Sequence, residues 1–147
     1  MWEFIKKLFG VREPERSRQF MANDPEIIEG EALISGAVVS QLQEAGFSNP
    51  ASWKMMRSFI LGYVATLGEQ YGEHINDTNG SAGALLAIRV AHALVGPSND
   101  TGKLFQEFND LTAGRDFGFG QGGAVGLEDF PVLMRRGKPS GLLNALR

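Results

Sequence analysis

The opening residues, Met1-Trp2-Glu3-Phe4-Ile5-Lys6-Lys7-Leu8-Phe9, divide into two faces. Wound as a helix at about 100° per residue, all the apolar side chains fall within roughly 160° of arc, and Glu3, Lys6 and Lys7 share the other side. Such a face calls for cover by a lipid surface, a partner protein or the chain's own core. Trp2, Phe4, Ile5, Leu8 and Phe9 are therefore the candidate contact residues. Gly10 ends this helix. Residues 11–23 are charged and weakly periodic, which predicts a tether, with Phe20 and Met21 able to dock back onto the body. Residues 24–147 read as a single helical domain.

Within that domain, Asp24-Pro25-Glu26 is a helix start: the aspartate caps, the proline takes the first helical position, and the acid favours the positive end of the dipole. Ile27, Ile34, Val38 and Leu42 mark one stripe, and Gly46 is a natural stop. Gly30 and Gly36 weaken this helix by roughly 1 kcal/mol each relative to alanine, or mark close helix contact. Asn49-Pro50 opens a third helix to about Tyr71 or Ile75, lined by Met56, Phe59, Ile60, Tyr63, Val64 and Leu67. Residues 76–81 are a turn by composition. The stretch 82–95 is apolar nearly all round and is expected at the centre. Residues 96–100 close it and cap a fifth helix, whose apolar side is Leu104, Phe105, Phe108 and Leu111. Residues 114–126 read as a glycine-rich loop, followed by a short helix at Phe130–Met134 with Pro131 in its first turn. Arg135, Arg136 and Lys138 form a basic cluster, and Leu142, Leu143 and Leu146 a small amphipathic tail. The expected fold is all-α: an irregular bundle of about five helices with a glycine-rich loop and a short C-terminal helical tail.

Composition supports a cored domain, with 43% hydrophobic and 21% charged residues. The net charge of -3 argues against a general nucleic-acid binder. No cysteine is present, which excludes disulfides, thiolate metal sites and cysteine nucleophiles. Glu3 and the lysine pair interrupt the opening apolar residues, so no secretory leader is expected. The apolar stretch from Ala82 to Val95 is shorter than the roughly 20 residues a bilayer span needs.

Local motifs offer little chemistry. Gly118-Phe119-Gly120-Gln121-Gly122-Gly123 matches the G-x-G-x-x-G pattern of dinucleotide sites, but the strand that should precede it is missing. Asp116-Phe117-Gly118 spells the kinase magnesium motif without the catalytic loop that accompanies it. Asp77-x-Asn79-x-Ser81 begins like a calcium loop, yet Ala82 and Ile88 stand where glycine and a bidentate glutamate belong. No G-x-S-x-G or H-E-x-x-H occurs. Trp53, Tyr63 and Tyr71 read as core or as interface anchors.

Four polar residues stand out. Glu31 falls among Ile27, Ile34 and Val38; His74 shares a face with Leu67 and Met56; Arg89 and His92 lie three apart on the apolar fourth helix. Buried charges seek partners. These groups fit either a polar cluster, with Glu31 pairing Arg89, or separate positions at bundle edges held for structure. A cluster would suit a ligand, a proton transfer or a pH switch.

The pattern as a whole points to a non-catalytic interaction or adaptor protein. Its N-terminal helix would associate with a protein partner, with itself or with a membrane surface. Nucleic acid is not an expected partner, and no cofactor or metal is implied. The expected location is the cytoplasm, with peripheral contact at the inner membrane face as the membrane option. The alternative is a small-molecule binding protein or enzyme with a pocket of Glu31, His74, Arg89 and His92 under a glycine-rich lid carrying Gly118, Gly120 and Gly123.

Overall fold

The computed structural model describes residues 19–77, 80–96 and 100–147. The contact residues Trp2, Phe4, Ile5, Leu8 and Phe9 and most of the tether lie outside these described residues. Among the described residues the fold is all-α. The elements are α1 (Pro25–Glu44), a 3-10 segment (Pro50–Met56), α2 (Arg57–His74), α3 (Ser81–Val95), α4 (Thr101–Ala113), α5 (Phe117–Met134) and α6 (Gly141–Leu146). None of these helices is long and apolar enough to cross a membrane.

The helix ends follow from local chemistry. Pro25 occupies the first turn of α1 behind Asp24, whose carboxylate makes no cap bond to the helix as expected but accepts the Met21 N–H at 2.9 Å. Asn49 accepts the Ala51 N–H ahead of the 3-10 segment, and Asp100 accepts the Gly102 N–H ahead of α4. Gly46, at φ +85°, closes α1. The Phe47 N–H reaches the Leu42 carbonyl and the Gly46 N–H the Gln43 carbonyl, the paired bonds of a Schellman turn. Asp77 supplies what Gly80 cannot at the start of α3, its Oδ2 accepting the Ala82 N–H at 2.8 Å.

The centre of the molecule is α2, not the more uniformly apolar 82–95 segment. Every residue from Ile60 to Gly68 is buried. This helix packs against α1, α3, α5 and the 3-10 segment. The order of contacts gives the directions. Gly30 meets the Tyr71 ring and Gln41 meets Tyr63, so α1 runs antiparallel to α2. Gly68 meets Ala87 while Gly72 meets Gly83, so α3 does too. In contrast, Gly118 lies beside Ser58, Gly122 beside Phe59 and Tyr63, and Gly126 beside Tyr63 and Thr66, so α5 runs parallel to α2.

The largest departure from the sequence reading is at 114–126. Gly118, Gly120 and Gly123, expected in a lid loop, lie inside α5, one continuous helix through to Met134. Asp116 caps it by accepting the Phe119 N–H at 2.9 Å. The physical reason is packing. Gly118, Gly122 and Gly126 recur every four residues, on one helical face, and that face lies against α2. A Cβ on Gly122 would overlap the Phe59 carbonyl oxygen, and one on Gly62 would overlap the Phe119 carbonyl oxygen. Each helix thus presents a bare backbone where the other's carbonyl approaches. Five glycines in α5 cost about 4 kcal/mol of helix propensity relative to alanine, so the helix depends on its contact with α2. Pro131 sits inside this helix rather than at the start of a short one.

The two glycines of α1 separate by the same criterion. Gly30 has the Tyr71 ring 2.7 Å from where its Cβ would be, whereas Gly36 has nothing within 4 Å. Gly36→Ala is expected to raise unfolding free energy by about 0.5–1 kcal/mol. Gly122→Ala is expected to lower it by at least about 2 kcal/mol, since backbone cannot move aside as a side chain can. Urea denaturation of the two variants beside the parent checks both signs.

Candidate functional site

Two of the four polar residues singled out in the sequence meet directly. Glu31 and Arg89 pair, Oε2 to Nε at 2.6 Å, bridging α1 and α3. Their side chains keep 25% and 41% of their exposure, so the pair lies at the protein surface and contributes under about 1 kcal/mol. His74 is exposed at the end of α2, its ring 5.9 Å from that of Tyr71, and no hydrogen bond joins it to Glu31 or Arg89. His92 is half-buried one turn beyond Arg89. Trp53, Tyr63 and Tyr71 are core residues.

A different polar group is buried. The Tyr63 hydroxyl donates to Asp129 Oδ2 at 2.7 Å and accepts from Gln41 Nε2 at 3.0 Å. Gln41 Nε2 also donates to the Ala37 carbonyl, and its Oε1 accepts the Leu143 N–H. Asp129 Oδ2 accepts the Gly141 N–H at 2.9 Å. Gln41 of α1 and Asp129 of α5 thus satisfy two first-turn N–H groups of α6, with Tyr63 of α2 bridging the two side chains. With Leu142, Leu143 and Leu146 buried, this knot fixes the C-terminal tail to the body. Burial, reinforced by the hydrogen bond to Asp129, raises the Tyr63 hydroxyl far above the usual tyrosine range. The Tyr63 hydroxyl, the Gln41 amide and Asp129 Oδ2 are all engaged within the protein, as in a structural junction.

A groove lies over the α2–α5 seam. Thr66, Glu69 and Gln70 of α2 form one wall, and Phe119, Gly120, Gly123, Ala124 and Leu127 of α5 form the floor and the other, around a volume of about 280 Å³. The seam itself makes the groove, because glycine and alanine leave the α5 surface low. Phe117 and Leu127, 79% and 54% exposed, stand at either end of this α5 face. Glu128 is exposed one turn beyond Ala124. So Gly120 and Gly123 do line a concavity, but as the floor of a groove rather than as a closing loop. A smaller hollow of about 160 Å³ lies among Val39, Leu42, Gln43, Ser48, Trp53, Ala93 and Leu94.

Sequence reasoning missed both the knot and the groove. Tyr63, Gln41 and Asp129 are far apart in the chain and individually unremarkable. For the groove, the available signals were the Asp116 cap and the four-residue glycine spacing. Among the described residues no group of three or more His, Asp or Glu side chains could hold a metal ion. No family model, curated protein or solved structure matches this chain.

The knot has a pH signature. A tyrosine whose folded-state pKa lies above its unfolded value near 10 keeps its proton in the folded state while the unfolded chain loses it. Stability contributed by Tyr63 is therefore complete below pH 10 and declines above it, by up to about 1.4 kcal/mol per pH unit. Tyr63→Phe should lower stability near neutrality by about 1–3 kcal/mol, because Asp129 loses a donor, and should flatten the alkaline decline. Denaturation of parent and variant from pH 8 to 11.5 reads both effects.

Proposed function

We propose that this protein is a non-catalytic association module whose N-terminal segment, residues 1–10, binds an apolar surface belonging to a partner protein, a second copy or a membrane. The observation that carries the reading is the two-sided pattern of residues 1–9. Each buried apolar side chain of that face would contribute about 1.5–3 kcal/mol before ordering costs, ample for reversible association. Lys6 and Lys7 would add about 1 kcal/mol each at an anionic lipid surface.

The body supports the same reading. The buried Gln41, Tyr63 and Asp129 side chains are engaged with α6 and with one another, and Glu31 and Arg89 neutralise one another. A small-molecule site built on Glu31, His74, Arg89 and His92 has less support, because Glu31 and Arg89 satisfy each other's charge near the surface.

Leu8→Asp places a charge in the middle of the apolar face while leaving the described body untouched. It is expected to weaken association by about tenfold or more. The readouts are sedimentation equilibrium for self-association and co-sedimentation with phosphatidylglycerol-containing vesicles for lipid binding. If parent and Leu8→Asp protein behave alike in both, and a chain lacking residues 1–10 retains every protein partner of the parent, the proposal fails.

A further inference from the structure

We propose that the outward face of α5 docks against the same face of a second copy of this chain, the two helices running antiparallel about a two-fold axis at Gly122. This surface belongs to the described body and is separate from residues 1–10.

Helix α5 has two opposite faces. Gly118, Gly122 and Gly126 turn toward α2. At about 100° per residue, Phe117, Gly120, Ala124, Leu127 and Pro131 fall within about 80° of arc on the other side, and all five are exposed. Phe117 and Leu127 are large apolar side chains left in the open. No charged residue occurs between Phe117 and Leu127. A helix face that stays in water normally carries charge, as α4 does at the exposed Lys103 and Asp110. The outward face of α5 is composed for cover instead.

Its pattern complements itself. A two-fold contact presents the same patch from both copies, so the patch must fit its own inverse. In the antiparallel pair, residues equally far on either side of Gly122 come level. Phe117 then lies level with Leu127 of the second copy, and Gly120 with Ala124. The small pair lets the helices approach closely at the middle, while the large pair covers each end.

Charge selects the direction. Arg115 and Glu128 are exposed just beyond the two ends of the uncharged stretch. Asp116, between Arg115 and the stretch, is engaged with the Phe119 N–H. In the antiparallel pair Arg115 of each copy comes within a residue of the level of Glu128 of the other. In a parallel pair each charge would face its own kind, so opposite charges favour the antiparallel copy. From Phe117 to Pro131 the face is about 21 Å long. A contact of that length lies at the low end for specific complexes, as suits a reversible dimer.

The test uses the full chain carrying Leu8→Asp, so that residues 1–10 do not contribute. Sedimentation equilibrium from micromolar to millimolar protein should show a monomer–dimer equilibrium. Gly120 has open space where a Cβ would stand, so Gly120→Glu charges the face without a clash, and urea denaturation checks that the fold is kept. This variant should weaken the dimer about tenfold or more. Arg115→Glu should weaken it about fivefold, and adding Glu128→Arg should restore it. The absence of cysteine lets the register be read by oxidation. Mixed Gly120→Cys and Ala124→Cys proteins should form the disulfide between unlike chains faster than either forms its own. A monomer throughout, a dimer indifferent to Gly120→Glu, or faster disulfides between like chains would overturn the proposal. So would a monomer whose co-sedimentation with vesicles is lost on Gly120→Glu, which would give this face to lipid. A dimer of the parent that Leu8→Asp abolishes belongs to residues 1–10 and also overturns it.

Discussion

The structure depends on how closely two helices approach. Helices α2 and α5 run parallel with backbone against backbone, and glycine at positions 62, 118, 122 and 126 is what permits it. The helix that results is intrinsically poor, because its glycines forfeit propensity and expose backbone. It persists because burying its inner face against α2, the most completely buried helix, outweighs that loss. The close approach also brings Asp129 within reach of the Tyr63 hydroxyl, and through that bond the C-terminal helix is capped and held. A single spacing constraint therefore supports the centre, the α5 layer and the tail.

The same constraint explains what could be read from the chain and what could not. The starts of α1, the 3-10 segment and α4 were legible because Asp24-Pro25, Asn49-Pro50 and Asp100 act within a few residues of themselves. The Glu31–Arg89 pair was legible because each charge sat on an otherwise apolar helical face, which implied a partner. Residues 114–126 were not, since glycine counts as a helix breaker until the neighbour it accommodates is known. Gly118, Gly122 and Gly126 acquire meaning only opposite Gly62, Phe59 and Tyr63. The central position of α2 was hidden likewise. Gly62, Thr66, Gly68 and Gly72 make it look less apolar than α3, yet those small residues are what let α3 and α5 close around it.

The site followed the same logic. Histidines attract attention in a sequence because they titrate near neutrality, but His74 is exposed beside Tyr71. The buried polar group uses tyrosine, glutamine and aspartate, which are ordinary residues until three helices bring them together. A concave surface runs over the seam, low where glycine and alanine line it.

Native-state hydrogen exchange at residue resolution tests the central claim most directly. If α5 is a helix held by α2, the inward-facing amides of Gly122 and Gly126 should exchange only through global unfolding. Their opening free energy should equal that of Val64 and Leu67 and fall in step with it as urea is added. Exchange of those glycine amides through local opening, several kcal/mol below the α2 core and insensitive to urea, would show a loosely attached glycine-rich segment and contradict the account.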